Sequence, residues 1–233
     1  MEIIWKEVTY SNQEKLQEAL TLYEHSFPIE VREPESVFLQ SLKNAETHLP
    51  NQYHFLVGFQ GDELVSLVTA HYLADVNTGF IVYLVTNPKV RSKGLGAQSL
   101  QRIEEVLQQD SMAAGYKSLD AIVLETETPE MVHSEKEKKD CVKRTNFFMR
   151  NGFYKVEDLL YLQPPIHDDD VDVPLHLFIK NLTKHGRSVS EVKQIVKAMY
   201  LEKYYHGNGI ANNVLNRSYN KMNLEKSGLF CNN

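Results

Sequence analysis

The segment that most constrains the fold is an almost wholly apolar run, GFIVYLVT (79–86), which leads through a glycine-containing loop into a helical pattern. Such a run is typical of a strand that is buried on both faces. The following stretch, GAQSLQRIEEVLQQDSMAAG (96–115), repeats apolar residues at helical spacing and ends at a glycine. We therefore expect a central strand, a short loop and a long helix, in that order.

The loop between this strand and this helix carries two cations and two glycines, Arg91, Lys93, Gly94 and Gly96. The first N–H groups of a helix have no helical acceptor, so they can converge on an anion. Glycine lets a diphosphate approach the backbone, and the cations complement its charge. The loop lacks the Walker and dinucleotide-binding patterns. It predicts a phosphate cradle, and the residues alone leave a charged surface turn as the alternative.

The rest of the chain predicts a mixed α/β fold. Two helices precede a hairpin, YHFLVGFQ and ELVSLVTAHYL, which turns at Gly61-Asp62. After the long helix come a strand in SLDAIVLETET, a helix in DCVKRTNFFMRNG, and two strands in FYKVEDLLYLQ and LHLFIK. The order is two helices, three strands, helix, strand, helix and two strands.

Composition narrows the classes of protein. The 233 residues carry a formal net charge of -6, which gives no general attraction to nucleic acid or to an anionic membrane. No signal peptide and no apolar run long enough to span a bilayer is present, so we expect a cytoplasmic protein. The two cysteines, Cys141 and Cys231, have no metal-ligand spacing, and the acidic run HDDDVD (167–172) is typical of a solvated turn. We expect no metal.

The character of the sequence changes from about residue 181. The stretch RSVSEVKQIVKAMYLEKYY (187–205) has an apolar stripe at helical spacing, and a tail rich in Gly and Asn follows it. The stripe predicts a helix that either packs on the main domain or forms the surface of a homodimer.

Two motifs resemble those of the GNAT superfamily of N-acetyltransferases. The segment YLVTNPKVRSKGLGAQSLQRIEEVL is similar to its acetyl-coenzyme A motif, in which Arg or Gln, two residues, Gly, one residue and then Gly or Ala follow a central strand. Arg91, Gly94 and Gly96 fill those places. FFMRNGF resembles the second motif, and ETETPE and YLQPP resemble the ExExP and LQPP elements of a bacterial-type subgroup.

The resemblance implies a GNAT domain over residues 1–180, with a mixed, mostly antiparallel central sheet flanked by helices, and a C-terminal helical extension over 181–233 that packs on the domain or mediates assembly. It implies transfer of an acetyl or other acyl group from acetyl-coenzyme A, the cosubstrate, to a small-molecule or peptide amine by direct attack on the thioester. Its implied cofactor-binding residues are Leu84, Val85, Thr86, Arg91, Ser92, Lys93, Gly94, Leu95, Gly96 and Ala97.

Attack by an amine requires a group that removes a proton. Glu125 and Glu127 are the best candidates, because residues two apart on a strand face the same side and can line one cleft. A strand end with carboxylates is also typical of a solvated face, and that alternative stays open. Glu30, in the connection between the first two helices, is a third and more distant candidate.

The proton donor of the family is missing from its usual place. Phe148 stands where the second motif usually has a tyrosine, and its ring has no proton to give. Tyr83, Cys141 and Arg144 are substitutes, Tyr154 lies beyond the turn, and water alone can protonate a thiolate. The same departure leaves open a second class of function, a non-catalytic module that keeps the acyl-coenzyme A pocket or mediates assembly.

Overall fold

A computed structural model describes residues 2–27, 29, 32–90, 94–132, 134–157, 159–167, 171–183 and 186–222. The chain divides into two compact units, Met1–Leu119 and Asp120–Asn233, which we call the N-terminal unit and the C-terminal unit. The division of the chain into a domain that ends at residue 180 and an extension from residue 181 stays a prediction.

The N-terminal unit contains four antiparallel strands, each paired with the next along the chain. They are β1 (Ile4–Val8), β2 (Gln52–Gln60), β3 (Glu63–Leu73) and β4 (Thr78–Thr86). The predicted hairpin is confirmed, and it turns at Gly61, whose φ of 63° favours glycine. β1 was not predicted from the sequence, because four of its five residues are not buried and the segment therefore lacks a clear apolar face.

Three helices pack on this sheet, α1 (Leu16–Glu24), α2 (Glu35–Ala45) and α3 (Leu95–Ala113). Ser66 and Leu67 are successive residues of β3 and point to opposite faces. Leu67 lies in the same buried cluster as residues of α1 and α2, whereas the Ser66 hydroxyl is 2.6 Å from that of Ser99 on α3. The helices therefore cover both faces of the sheet.

Close packing of α3 on β4 depends on Gly79. A Cβ atom added at this residue would lie 2.4 Å from Leu107 Cδ1, which is nearer than real carbon contacts allow. The glycine therefore allows α3, which begins where the loop after β4 ends, to lie directly against the strand.

The C-terminal unit is built around β8 (Val173–Asn181), which pairs antiparallel with three other strands. These are β5 (Ala121–Glu127), β6 (Tyr154–Lys155) and β7 (Tyr161–Gln163). Its helices are α4 (Glu135–Arg150), α5 (Val189–Met199), a π-helix (Tyr200–Gly207) that continues α5, and α6 (Asn212–Lys221). Together the two units confirm the expected fold class, a mixed α/β protein with a mostly antiparallel sheet flanked by helices.

Three expectations for this unit were wrong in detail. The stretch FYKVEDLLYLQ forms two short strands, β6 and β7, and not one. α4 begins at Glu135, five residues before the predicted start, because Ser134 and Glu137 form a capping box. The tail rich in Gly and Asn contains a further helix, α6.

Candidate functional site

In the N-terminal unit, the end of β4 carries the first group of predicted cofactor residues, Leu84, Val85 and Thr86. They pair with β3 opposite Val68, Leu67 and Ser66. Val85 is buried, and its carbonyl accepts a hydrogen bond of 2.9 Å from the Ser66 hydroxyl.

Asn87 fixes the direction in which the chain leaves β4. Its backbone N–H donates to the Val65 carbonyl at 2.9 Å, and its side-chain amide donates to the Leu64 carbonyl at the same distance. Its side-chain oxygen accepts from the Lys89 N–H at 3.0 Å. One side chain thus ties the start of the loop to β3.

The far end of this loop is the N-terminus of α3. Gly94 is its N-cap residue and adopts the left-handed conformation with φ of 73°, in which other residues are strained. Leu95 is buried and anchors the first turn, in which Gly96 and Ala97 follow. The first amides of a helix have no acceptor within it, and the predicted phosphate cradle depends on them. The remaining predicted cofactor residues, Arg91, Ser92 and Lys93, lie outside the described residues, as does Glu30.

In the C-terminal unit, Glu125 on β5 receives hydrogen bonds from two tyrosines. The hydroxyl of Tyr161, on β7, donates to its Oε1. The hydroxyl of Tyr204, on the π-helix, lies 3.0 Å from Oε1 and 2.9 Å from Oε2. A carboxylate and two tyrosines from three separate elements thus form one cluster, which sequence reasoning did not find.

Both tyrosines are protonated donors over the whole physiological pH range. Tyr161 and Tyr204 are only 1% and 2% exposed. Burial, and then the negative charge of Glu125, raise the pKa of each hydroxyl well above its usual range. Two such donors favour the charged form of the carboxylate that they face.

Glu127, the second predicted base, has a different partner. Its Oε2 lies 3.0 Å from the Arg144 guanidinium of α4, and both side chains are partly exposed. Arg144, one predicted substitute for the missing acid, is thus engaged in an ion pair. The thiol of Cys141, another substitute, is buried, and burial raises its pKa.

Phe148, at the usual place of the acid, and Tyr83 are buried in aromatic packing, whereas Tyr154 is exposed. Phe148 is buried against Phe153 and Phe178, so it has a packing role. Tyr83 is buried in an aromatic cluster of the N-terminal unit, with its ring 4.8 Å from that of Tyr23. The Tyr154 hydroxyl lies 2.6 Å from the Asn181 side-chain amide.

A cavity of about 510 Å³ lies beside Tyr161 in the C-terminal unit. Its lining combines apolar and polar side chains and includes Thr128, Met131, Lys155, Leu160, Tyr161 and His176. Burial, and then the charge of Lys155, lower the pKa of His176, so its imidazole is neutral at pH 7. The volume of the cavity is enough for a small organic molecule.

The acidic run 167–172 contributes a structural contact. Asp168, Asp169 and Asp170 lie outside the described residues. Asp172 accepts hydrogen bonds from the hydroxyl of Ser218 and, at 2.5 Å, from the ammonium of Lys221, both on α6. Among the described residues, no group of three or more His, Cys, Asp and Glu side chains is arranged to hold a metal ion.

Comparison with known proteins identifies the class to which this architecture belongs. Residues 16–130 match the acetyltransferase (GNAT) family. Residues 16–130 of this chain form a GNAT acetyltransferase domain, as the first of the two sequence motifs, which lies within this range, indicated. A search of curated proteins finds no match to the sequence.

Solved structures share the fold. A protein from Bacteroides thetaiotaomicron assigned to the GNAT family superposes with a TM-score of 0.62 at 22% sequence identity, covering 84% of this chain and 96% of that one. A GNAT-family acetyltransferase from Staphylococcus aureus Mu50 gives a TM-score of 0.51 at 19% identity, covering 78% of this chain and all of its own. At these identities the likeness establishes the fold alone. Within the described part of the chain, no helix is both long and apolar enough to cross a membrane.

Proposed function

We propose that this protein is an N-acyltransferase that transfers the acetyl group of acetyl-coenzyme A to an amine, on a small molecule or a peptide. The observation that carries the proposal is the junction between β4 and α3 in a chain with a GNAT acetyltransferase domain. There Asn87 fixes the exit from the strand and a left-handed Gly94 begins a 19-residue helix.

This junction suits the diphosphate of a coenzyme A thioester. The first-turn amides of α3 would bind the phosphate oxygens, and the helix dipole would add to the attraction. Among the described residues, and its chain neighbours apart, the atom nearest to a Cβ at Gly94 would be Gln98 Nε2 at 3.8 Å, which leaves space for a ligand beside this residue. Arg91 and Lys93 would add positive charge.

The reaction requires one proton to leave the amine and one to reach the sulfur. The amine nitrogen attacks the thioester carbonyl, the C–N bond forms and the C–S bond breaks, and the thiolate that leaves is protonated. We assign the base role to Glu125 and not to Glu127, because the Arg144 guanidinium pairs with Glu127, whereas two buried tyrosine hydroxyls donate to Glu125. Tyr161 both donates to Glu125 and lines the cavity, which makes this cavity our candidate for the acceptor.

An assay of thiol release tests the proposal. The protein is incubated with acetyl-coenzyme A and, separately, with spermidine, phenethylamine, a lysine-containing peptide and a peptide with a free amino terminus. We expect at least one amine to accelerate release of the thiol and to gain one acetyl group in the mass spectrum. Thiol release that no amine accelerates, in this panel and in a wider one, would contradict the proposal.

A further inference from the structure

The C-terminal helical segment delivers a side chain to Glu125. Tyr204 lies 79 residues further along the chain, and its hydroxyl spans both carboxylate oxygens at 3.0 and 2.9 Å. Together with the Tyr161 hydroxyl, which donates to Oε1, this contact gives each carboxylate oxygen a tyrosine donor. Tyr204 is 2% exposed, so water does not compete for this contact.

The surroundings of Tyr204 fix its position. The Tyr200 ring lies 5.4 Å from its ring at an edge-on angle, and the Tyr200 hydroxyl donates to the Leu162 carbonyl on β7. The Lys203 ammonium lies 5.4 Å from the Tyr204 ring centre and donates to Asn208 Oδ1 at 2.9 Å. The π-helix is therefore bound to the strand layer on one side and braced by its own residues on the other.

The backbone of this segment is itself unusual. The Asn208 N–H donates to the Lys203 carbonyl at 2.9 Å, five residues back, and the π-helical stretch runs from Tyr200 to Gly207. Such stretches are rare and often occur at functional sites.

The ionisable groups around Glu125 come from several elements. Tyr161 faces it from β7, and Tyr200 and Tyr204 face it from the π-helix. On its own strand, Glu127 is neutralised by Arg144 of α4. These three hydroxyls stay protonated, and that of Tyr204 contacts both oxygens of the carboxylate.

We propose that Tyr204 is a positioning residue for Glu125, so that the C-terminal helical segment completes the base of the proposed acyl transfer. This inference rests on the proposed function. Its hydrogen bond holds the carboxylate in one orientation and favours the charged form, which is the form that accepts a proton from the amine. Without the hydrogen bond from Tyr204, the Glu125 carboxylate would accept protons from solvent more readily and would adopt more than one orientation.

The test compares Tyr204→Phe with Tyr205→Phe. Each change removes one tyrosine hydroxyl from the π-helix, but the Tyr205 ring packs against His206, 4.9 Å away. For each protein, kcat/KM is measured against pH with the best acceptor from the amine panel. The Glu125 carboxyl is followed separately by NMR with ¹³C-labelled glutamate, its resonance being assigned by its loss in Glu125→Gln. All variants are assayed with the same acceptor, so the titration of the amine affects every rate profile equally and does not contribute to the difference between them.

We expect Tyr204→Phe to move the acidic limb of the rate profile, and the NMR titration of Glu125, to higher pH by about one unit, and Tyr205→Phe to leave both in place. If Tyr204→Phe does not fold, 4-fluorophenylalanine at residue 204, which fills the place of the hydroxyl but cannot donate a hydrogen bond, replaces it with the same expectation. A rate profile that follows the control overturns the inference, even if the NMR titration moves, and leaves the acyl transfer standing. No turnover by the unchanged protein overturns the proposed function, and the inference with it.

Discussion

The junction between β4 and α3 and the cluster around Glu125 are built in opposite ways. The junction presents backbone groups from one short segment, whose course is set by the Asn87 side chain, bound to β3, and by the left-handed Gly94. The cluster is made by side chains from β5, β7 and the π-helix. An anion site can be encoded locally, because a helix N-terminus supplies its donors, whereas an aimed carboxylate needs partners that only tertiary structure brings together.

The largest expected effect separates the two carboxylates of β5, Glu125 in the cluster and Glu127 outside it. We expect Glu125→Gln to lower kcat by about 100-fold or more, because an amide cannot accept the proton, with acetyl-coenzyme A binding unchanged. Glu127→Gln should lower kcat by less than about tenfold, because it removes only a partly exposed ion pair with Arg144. Steady-state kinetics and calorimetric titration measure both. Equal losses in the two variants would contradict the assignment of the base.

A second prediction concerns the stability of the N-terminal unit as pH rises. His54 lies 2.6 Å from Glu7 Oε1 and 2.7 Å from Asp110 Oδ2. Burial opposes its charge, but the hydrogen bonds to Asp110 and Glu7 outweigh burial and raise the pKa to about 9. The protonated ring therefore stabilises the fold fully below about pH 6.5, the unfolded value, and this contribution disappears as pH rises through about 9.

Denaturant unfolding at pH 6, 7.5 and 9.5 measures this contribution. Between pH 6 and pH 9.5, we expect the free energy of unfolding of the unchanged protein to fall by about 3 kcal/mol more than that of His54→Gln, since one pKa unit corresponds to about 1.4 kcal/mol. Parallel pH curves for the two proteins would show that the histidine is not charged in the fold.

The third prediction tests the close packing of α3 on β4 at Gly79, which sets the position of α3 at the junction. Gly79→Ala should lower the free energy of unfolding by about 1 to 3 kcal/mol, because the new methyl group overlaps Leu107. Gly186→Ala is the matched control, since, its chain neighbours apart, no atom in the described part of the chain would lie within 4 Å of its Cβ. Chemical denaturation compares the two. A loss for Gly79→Ala no larger than that of the control would mean that α3 does not pack on β4 as described.

The smallest effect is expected at the attachment of α6. Burial acts to raise the pKa of Asp172, but hydrogen bonds from Lys221 and Ser218 outweigh it and keep the pKa below its usual range. This stability is present above about pH 4 and is lost as pH falls through the folded pKa. Lys221→Met should cost about 0.5 to 1 kcal/mol at pH 7 and less in acid, because Lys221 is half exposed. Thermal melts of Lys221→Met and the unchanged protein measure this difference in stability. An equal loss of stability at pH 3 and at pH 7 would contradict the role of the Asp172 charge.

The sequence was sufficient for features that depend on local signals. The strand, the loop and α3 follow from an apolar run, Gly94 and helical periodicity, all within 40 residues. The capping boxes at Ser134 and Ser188 were also present in the sequence as Ser-x-x-Glu, and they mark the starts of α4 and α5. They are a signal that the sequence reasoning did not use.

The cluster could not be predicted in this way. Tyr161 and Tyr204 lie in segments whose aromatic residues indicate packing, and their hydroxyls reach Glu125 only when β7 and the π-helix are in place. No spacing rule joins residues 36 and 79 positions apart. Glu125 and Glu127 were predicted as equivalent because they share a strand face, and only their partners distinguish them.

Calorimetric titration of acetyl-coenzyme A into three proteins tests the central claim most directly. They are the unchanged chain, Gly94→Glu, and Gly61→Glu as the matched control, since Gly61 also has a left-handed backbone with φ of 63° and open space around it. We expect binding by the unchanged chain and by Gly61→Glu, and a loss of at least about tenfold in affinity for Gly94→Glu, whose carboxylate would repel the diphosphate. Equal affinity in all three proteins, or no binding by any of them, would contradict the account.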